Sequence, residues 1–257
     1  MIVARISAFV LFAAQTLPAQ TAAAPGAEIH LLCSNGFRAA MEKLMPQAER
    51  ASGHPVKVEF GPSANFKIAI ERGEPFDLAI LNPQIVEALT KEGKIAAGTA
   101  VDLASSGIGI AVPASQPKPD VSSAQAIKEA LLKAKSVGYV PVGASTPAII
   151  AMLNSLGIRA EVQRKAILQP GAEQSMKSVA DGQVEVAFGL ISEIVPAPGV
   201  QFAGPLPPEF QKRISLTAAI AGSTKNREAV GKFIKSLTSA SAAKEMRATG
   251  LDPIAKH

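Results

Sequence analysis

Short runs of aliphatic and β-branched residues alternate with stretches of helical periodicity along most of the chain, and no other feature limits the fold as much. The spacing predicts strands near 29–34, 56–61, 77–81, 106–112, 137–141, 165–169, 184–191 and 213–221. Between them it predicts helices near 37–51, 64–72, 84–92, 123–135, 147–156, 174–181, 225–238 and 241–248. Strands that take turns with helices build mostly parallel sheets covered by helices, so the expected class is α/β. The near-continuous apolar character of the runs fits sheets buried on both faces. With 257 residues, 47% apolar and 18% charged, the chain has material for two cores and is not disordered.

Two places break the rhythm. Residues 104–113 form a small-residue strand containing Gly107 and Gly109, and Pro196, Pro198, Pro205, Pro207 and Pro208 crowd one later connection. Boundaries near 105 and 205 follow: 25–105 plus 206–257 form one lobe, and 106–205 a second lobe inserted into it. A chain that crosses twice between lobes makes a hinge. One continuous domain with two long loops is the alternative.

Residues 1–24 read as a signal peptide: one positive charge at Arg5, an apolar stretch over 6–14, then small neutral residues. The apolar part is too short to span a bilayer. Export to the periplasm is expected, with cleavage between Ala19 and Ala24. Beyond this segment 25 basic residues face 21 acidic ones, a balance of +4, and the basic residues are scattered. Nucleic acid and anionic membranes are therefore poor partners, whereas a mild positive field favours a small anion. Aromatics at 4%, with no Trp and one Tyr, exclude stacking platforms. Cys33, inside an apolar run, is expected to be a buried, inert thiol.

Signatures of catalysis are scarce. His30, His54 and His257 are isolated, no Gly-x-Ser-x-Gly elbow is present, and no His/Cys cluster has metal-ligand spacing. What recurs is a strand that ends in a small polar loop and opens a helix, at Ser34-Asn35-Gly36, at 61–65 and at 143–147. Helix N-termini expose unpaired N–H groups and a positive dipole end, so each such loop can cradle an anion. Ser34, Ser63, Ser145 and Thr146 add hydroxyl donors, with Thr146 as the expected cap before Pro147. Taken singly these are ordinary caps. Their number, and their shared place beyond the carboxyl ends of strands in both lobes, points to a ligand.

The segments 29–37, 56–63, 70–80 and 182–189, taken in order, resemble the molybdate-type periplasmic solute-binding proteins from about residue 28 to about 252. The resemblance implies a two-lobed type II periplasmic binding fold with hinge-linked lobes, and a monomer without cofactor or metal. It implies a small oxyanion ligand such as molybdate or tungstate, and an ABC transporter permease as partner. Such proteins hold the oxyanion with serine hydroxyls, backbone N–H groups and a tyrosine. Their second-loop serine matches Ser63, beside Ala64, and their first-loop serine falls at Gly36, beside Ser34 and Asn35. Ser145 and Thr146 keep donors at the third loop. The tyrosine falls near Leu190, with no hydroxyl until Ser192.

The departures at Gly36 and Leu190 leave open an organic anion such as a carboxylate, with Arg38 or Lys67 as anchor. A secreted enzyme using Ser63 or Ser145 as nucleophile is the remaining alternative, and it lacks a base. The expectation is capture and delivery of a small anion with no bond made or broken.

Overall fold

Ile29, Leu31, Leu32 and Cys33 leave the first strand, β1 (Ile29–Ser34), no solvent-facing side, and it lies inside a sheet. The computed structural model describes residues 27–254, so the expected signal segment lies outside the described residues. β2 (Val56–Gly61) and β3 (Leu78–Leu81) flank β1 in parallel. β10 (Ile214–Ile220), β4 (Val101–Ser106) and β11 (Asp252–Pro253) extend the sheet in antiparallel pairings, giving the six-stranded order β11-β4-β10-β3-β1-β2.

One face of this sheet is covered by α1 (Arg38–Ser52), α9 (Arg227–Leu237) and α10 (Ala240–Ala248), which bury Met41, Leu44, Phe233, Leu237 and Met246. α2 (Ser63–Glu71) and α3 (Pro83–Lys91) cover the other with Phe66, Ile70, Val86 and Leu89.

A second sheet of five strands has the order β7-β6-β8-β5-β9. Its members are β5 (Ile108–Pro113), β6 (Val137–Tyr139), β7 (Ala166–Leu168), β8 (Val186–Leu190) and β9 (Val200–Pro205). α4 (Ala124–Lys133), α5 (Thr146–Ser155) and α6 (Arg159–Arg164) bury Ile127, Leu131, Ile149, Met152 and Val162 on one face. α7 (Ala172–Ala180) and α8 (Ile191–Ile194) bury Met176, Val179 and Ile194 on the other. Each sheet thus has its own core, and the architecture is two-lobed α/β.

The expectation of mostly parallel sheets holds for strand direction: β1, β2, β3 and β4 run one way in the first sheet, and β6, β7, β8 and β9 in the second. Both sheets are mixed, because β10 runs antiparallel to β3 and β4, and β5 antiparallel to β8 and β9. The expected strand at 106–112 divides at Gly107: β4 ends at Ser106 in the first sheet and β5 begins at Ile108 in the second. A Cβ on Gly107 would stand 3.2 Å from Ile191 Cδ1, so the crossing is tightly packed. The chain returns over 206–213, where Gln211 accepts the Ile108 N–H at 2.7 Å and donates to the Ile108 carbonyl at 2.9 Å and the Leu206 carbonyl at 3.3 Å. One carboxamide therefore ties both crossings together.

Candidate functional site

The geometry of the cleft starts from how each strand hands over to the next helix. After β2, Pro62 takes the N-cap position of α2 with φ −64° and offers no side-chain acceptor. The first turn of α2 is left without a side-chain cap, and Ser63 is buried there with its Oγ lacking a hydrogen-bond partner among the described residues. α5 and α7 also begin without a side-chain cap, as do α1, α3, α6 and α9, whereas Ser123 and Ser239 cap α4 and α10.

The N-cap of α5 is Ser145, not Thr146. The Thr146 hydroxyl donates to the Val140 carbonyl at 2.5 Å and closes its own loop. Its proton is committed, which corrects its expected role as a free donor.

Ser34, Asn35, Pro62 and Ser63 from the first lobe and Gly143, Ser145, Ala172, Leu190 and Glu193 from the second border one small cavity of about 30 Å³. That space holds roughly two or three waters. Five of the expected site residues, Ser34, Asn35, Ser63, Ser145 and Leu190, are therefore brought together, and Ala64 is not among the residues bordering the cavity. Gly36 is buried behind it, with Leu190 Cδ1 2.7 Å from the position of a Cβ on Gly36. Ser192 borders a different space and keeps a buried Oγ without a partner among the described residues.

That second space is an open groove of about 430 Å³ between α1 and the α7–α8 region. It shares Asn35, Ala172 and Glu193 with the small cavity, so the two are neighbours with Glu193 at the junction. Arg38 and Lys177 supply cations to the groove. Arg38 lies over the Phe60 ring at 4.4 Å and reaches across the lobes to Glu173 at 3.4 Å. Lys67, by contrast, pairs with Glu71 along the exposed face of α2 and borders neither space, so it is not a candidate anchor.

Glu193 is the residue that sequence reasoning passed over. Its Oε2 accepts the Leu190 N–H at 3.0 Å, and its other oxygen accepts no hydrogen bond among the described residues. Desolvation in the cleft pushes its carboxyl up to about 7, and the Leu190 N–H only partly offsets this. The available signal was an acidic residue three places after a helix start, a pattern ordinarily explained by capping alone. The isolated histidines lie elsewhere: the His30 ring sits between the Pro75 carbonyl and the Glu59 carboxylate, at 2.8 and 2.9 Å. Cys33 is fully buried, and burial pushes its thiol up, as expected of an inert core residue.

A family model described as bacterial extracellular solute-binding protein matches residues 29–252. The chain is 28% identical over 238 residues to an aconitate isomerase of a Pseudomonas species, covering 91% of this chain and 90% of that one. It is 26% identical over 174 residues to the molybdate-binding protein ModA of Azotobacter vinelandii, covering 67% and 68%. Among solved structures, the periplasmic molybdate-binding protein of Azotobacter vinelandii superposes with a TM-score of 0.74 at 18% identity, over 89% of this chain and all of that one. PEB3 bound to L-phospholactate superposes with a TM-score of 0.66 at 16% identity, over 89% of this chain and all of that one. At these identities the structural likeness speaks for the fold.

Proposed function

Because the chain belongs to the bacterial extracellular solute-binding proteins and has a type II periplasmic binding fold, we propose that it captures a small organic carboxylate between its lobes and passes it to an ABC importer. In this reading residues 1–24 direct it to the periplasm, and the lobes, bounded near 105 and 205, close over the ligand. Closure follows from tighter binding to the closed form, since a ligand shifts an equilibrium only by its differential affinity.

The observation that carries the reading is the composition of the small cavity. Neutral donors and uncapped helix starts from both lobes surround it, and Glu193 is the ionisable group on its wall among the described residues. Hydroxyls and N–H groups suit an anion. A carboxyl beside them repels a fully ionised oxyanion, but accepts a hydrogen bond from a ligand that brings a proton, or donates one itself after taking a proton up. The neighbouring groove, with Arg38 and Lys177, gives a longer polyacid a place for a second carboxylate. The relative named aconitate isomerase and the neighbour bound to L-phospholactate both concern organic anions, which supports this class.

A tetrahedral oxyanion is the second reading, favoured by the small size of the inner cavity and by the molybdate-binding relative. Titration calorimetry of the chain lacking residues 1–24 separates the two, with trans-aconitate, glutaconate, citrate, molybdate, tungstate and sulfate as probes at pH 6 and pH 8. Binding of a carboxylate, tighter at pH 6, is expected. Binding of molybdate alone, with equal affinity at both pH values, would overturn the carboxylate reading.

A further inference from the structure

We propose that Glu193 is a proton-transfer residue, and that the closed cleft moves a double bond along an unsaturated polycarboxylate by a 1,3-proton shift, an activity beyond capture that rests on the carboxylate reading. The argument is one of placement. Glu193 stands where the small cavity meets the groove. An acid with one carboxylate among Ser34, Ser63 and Ser145 and another toward Arg38 and Lys177 must carry its middle carbons past Glu193. The Leu190 N–H holds Oε2, which orients the carboxyl and leaves the second oxygen for a proton.

The small cavity is built to receive the charge that such a step creates. Ser63 Oγ is buried without a partner among the described residues, and the first turns of α2, α5 and α7 lack side-chain caps. Donors fixed before the reaction stabilise an anion as it forms, without reorganising.

In the step itself, the Glu193 carboxylate takes a proton from the saturated carbon of the allylic unit. The C–H pair becomes a new double bond, and the old double bond's pair spreads into the carboxylate held in the small cavity. Protonated Glu193 exchanges its proton with solvent water and delivers a proton to the carbon at the far end, so the double bond has moved by one position and Glu193 is restored. No electron acceptor or co-reactant is consumed. A base poised near neutral pH both takes and returns a proton readily.

The charged groups facing the same groove are Arg38 and Glu42 from α1 and Glu173, Lys177 and Asp181 from α7. They pair among themselves, Arg38 with Glu42 and Glu173 and Lys177 with Asp181, and none is hydrogen-bonded to Glu193 among the described residues.

The test is proton NMR in D2O of the full chain with trans-aconitate and with glutaconate, alongside calorimetry. The expected result is deuterium entering both ends of the allylic unit, at a rate that rises with pH through about 7. Glu193→Gln should lower that rate by at least about 100-fold while Kd changes by less than about tenfold. Glu193→Asp, which keeps the carboxyl but draws it back, should retain part of the exchange, and it stands in should the Gln variant fail to fold. Binding without exchange above the buffer rate overturns the inference and leaves the capture reading standing. Exchange at the wild-type rate in Glu193→Gln overturns the assignment of the residue. Binding of neither acid, nor of citrate, overturns the capture reading and the inference with it.

Discussion

Leu190 Cδ1 stands 2.7 Å from the point that a Cβ on Gly36 would occupy, so one residue from each lobe shares a single side-chain volume beside the cleft. Neither offers the hydroxyl that the family resemblance places at those positions. The loss is paired: a small residue on one side makes room for a large apolar one on the other.

That pairing predicts coupling. Gly36→Ser alone must displace Leu190, a change of the overpacking kind that costs about 1–3 kcal/mol. Leu190→Ala alone removes a buried side chain and should cost about 2–5 kcal/mol. The double variant should cost less than the sum by about 1 kcal/mol or more, read from urea denaturation of all four proteins. Strict additivity would show that the two side chains do not compete for space.

Ser63→Ala should separate stability from binding. The hydroxyl has no partner among the described residues, so its removal should leave stability unchanged or raise it. Anion affinity should fall by about 1.5–3 kcal/mol, the worth of a hydrogen bond to a charged group. Ser192→Ala, which alters only the groove, should lose less. Equal calorimetric losses for the two variants would contradict the assignment of the small cavity as the anchor.

The raised carboxyl of Glu193 gives a stability profile of definite sign. Its value of about 7 in the folded protein lies above the ordinary 4.5, so between those values the native state binds more protons than the unfolded chain. Stability contributed by this group is therefore full below about pH 4.5 and is lost as pH rises through about 7. Glu193→Gln should flatten that part of the profile in chemical denaturation across pH 4–8. A slope unchanged by the substitution would place its origin elsewhere.

Glu173→Gln tests the ion pair across the groove. Arg38 and Glu173 are 34% and 67% exposed, so the pair should contribute no more than about 1 kcal/mol and should weaken with salt. Freed from Glu173, Arg38 should hold a ligand's second carboxylate better, so calorimetry with citrate should show tighter binding than in the parent. Weaker binding would mean that the pair helps closure more than it competes with the ligand.

Much of the fold was legible because burial leaves a simple imprint. β1 and β3 are apolar at almost every position, and the glycine at 36 and the serines at 34, 63 and 145 mark where strands give way to helices. β4 was obscured because Asp102, Ser105 and Ser106 interrupt its apolar run, although Asp102 accepts a cross-strand bond from Thr217 at 2.5 Å. β9 was obscured by the prolines around it, yet an edge strand tolerates proline at its end, and β9 closes on Pro205 at the edge of its sheet. The antiparallel strand β5 left no local mark, because alternation with helices signals parallel pairing only while the chain stays in one sheet, and this chain changes sheets at Gly107. In the site, the cradle of serines was visible as loop chemistry. Glu193 was not, since its place between two cavities depends on packing of α8 against β5 and α1 that no local pattern encodes.

Because the Gln211 carboxamide grips Ile108 and Leu206 together, the outbound and homebound strands behave as one pin on which two leaves are hung. Sliding of one leaf past the other would have to break that grip.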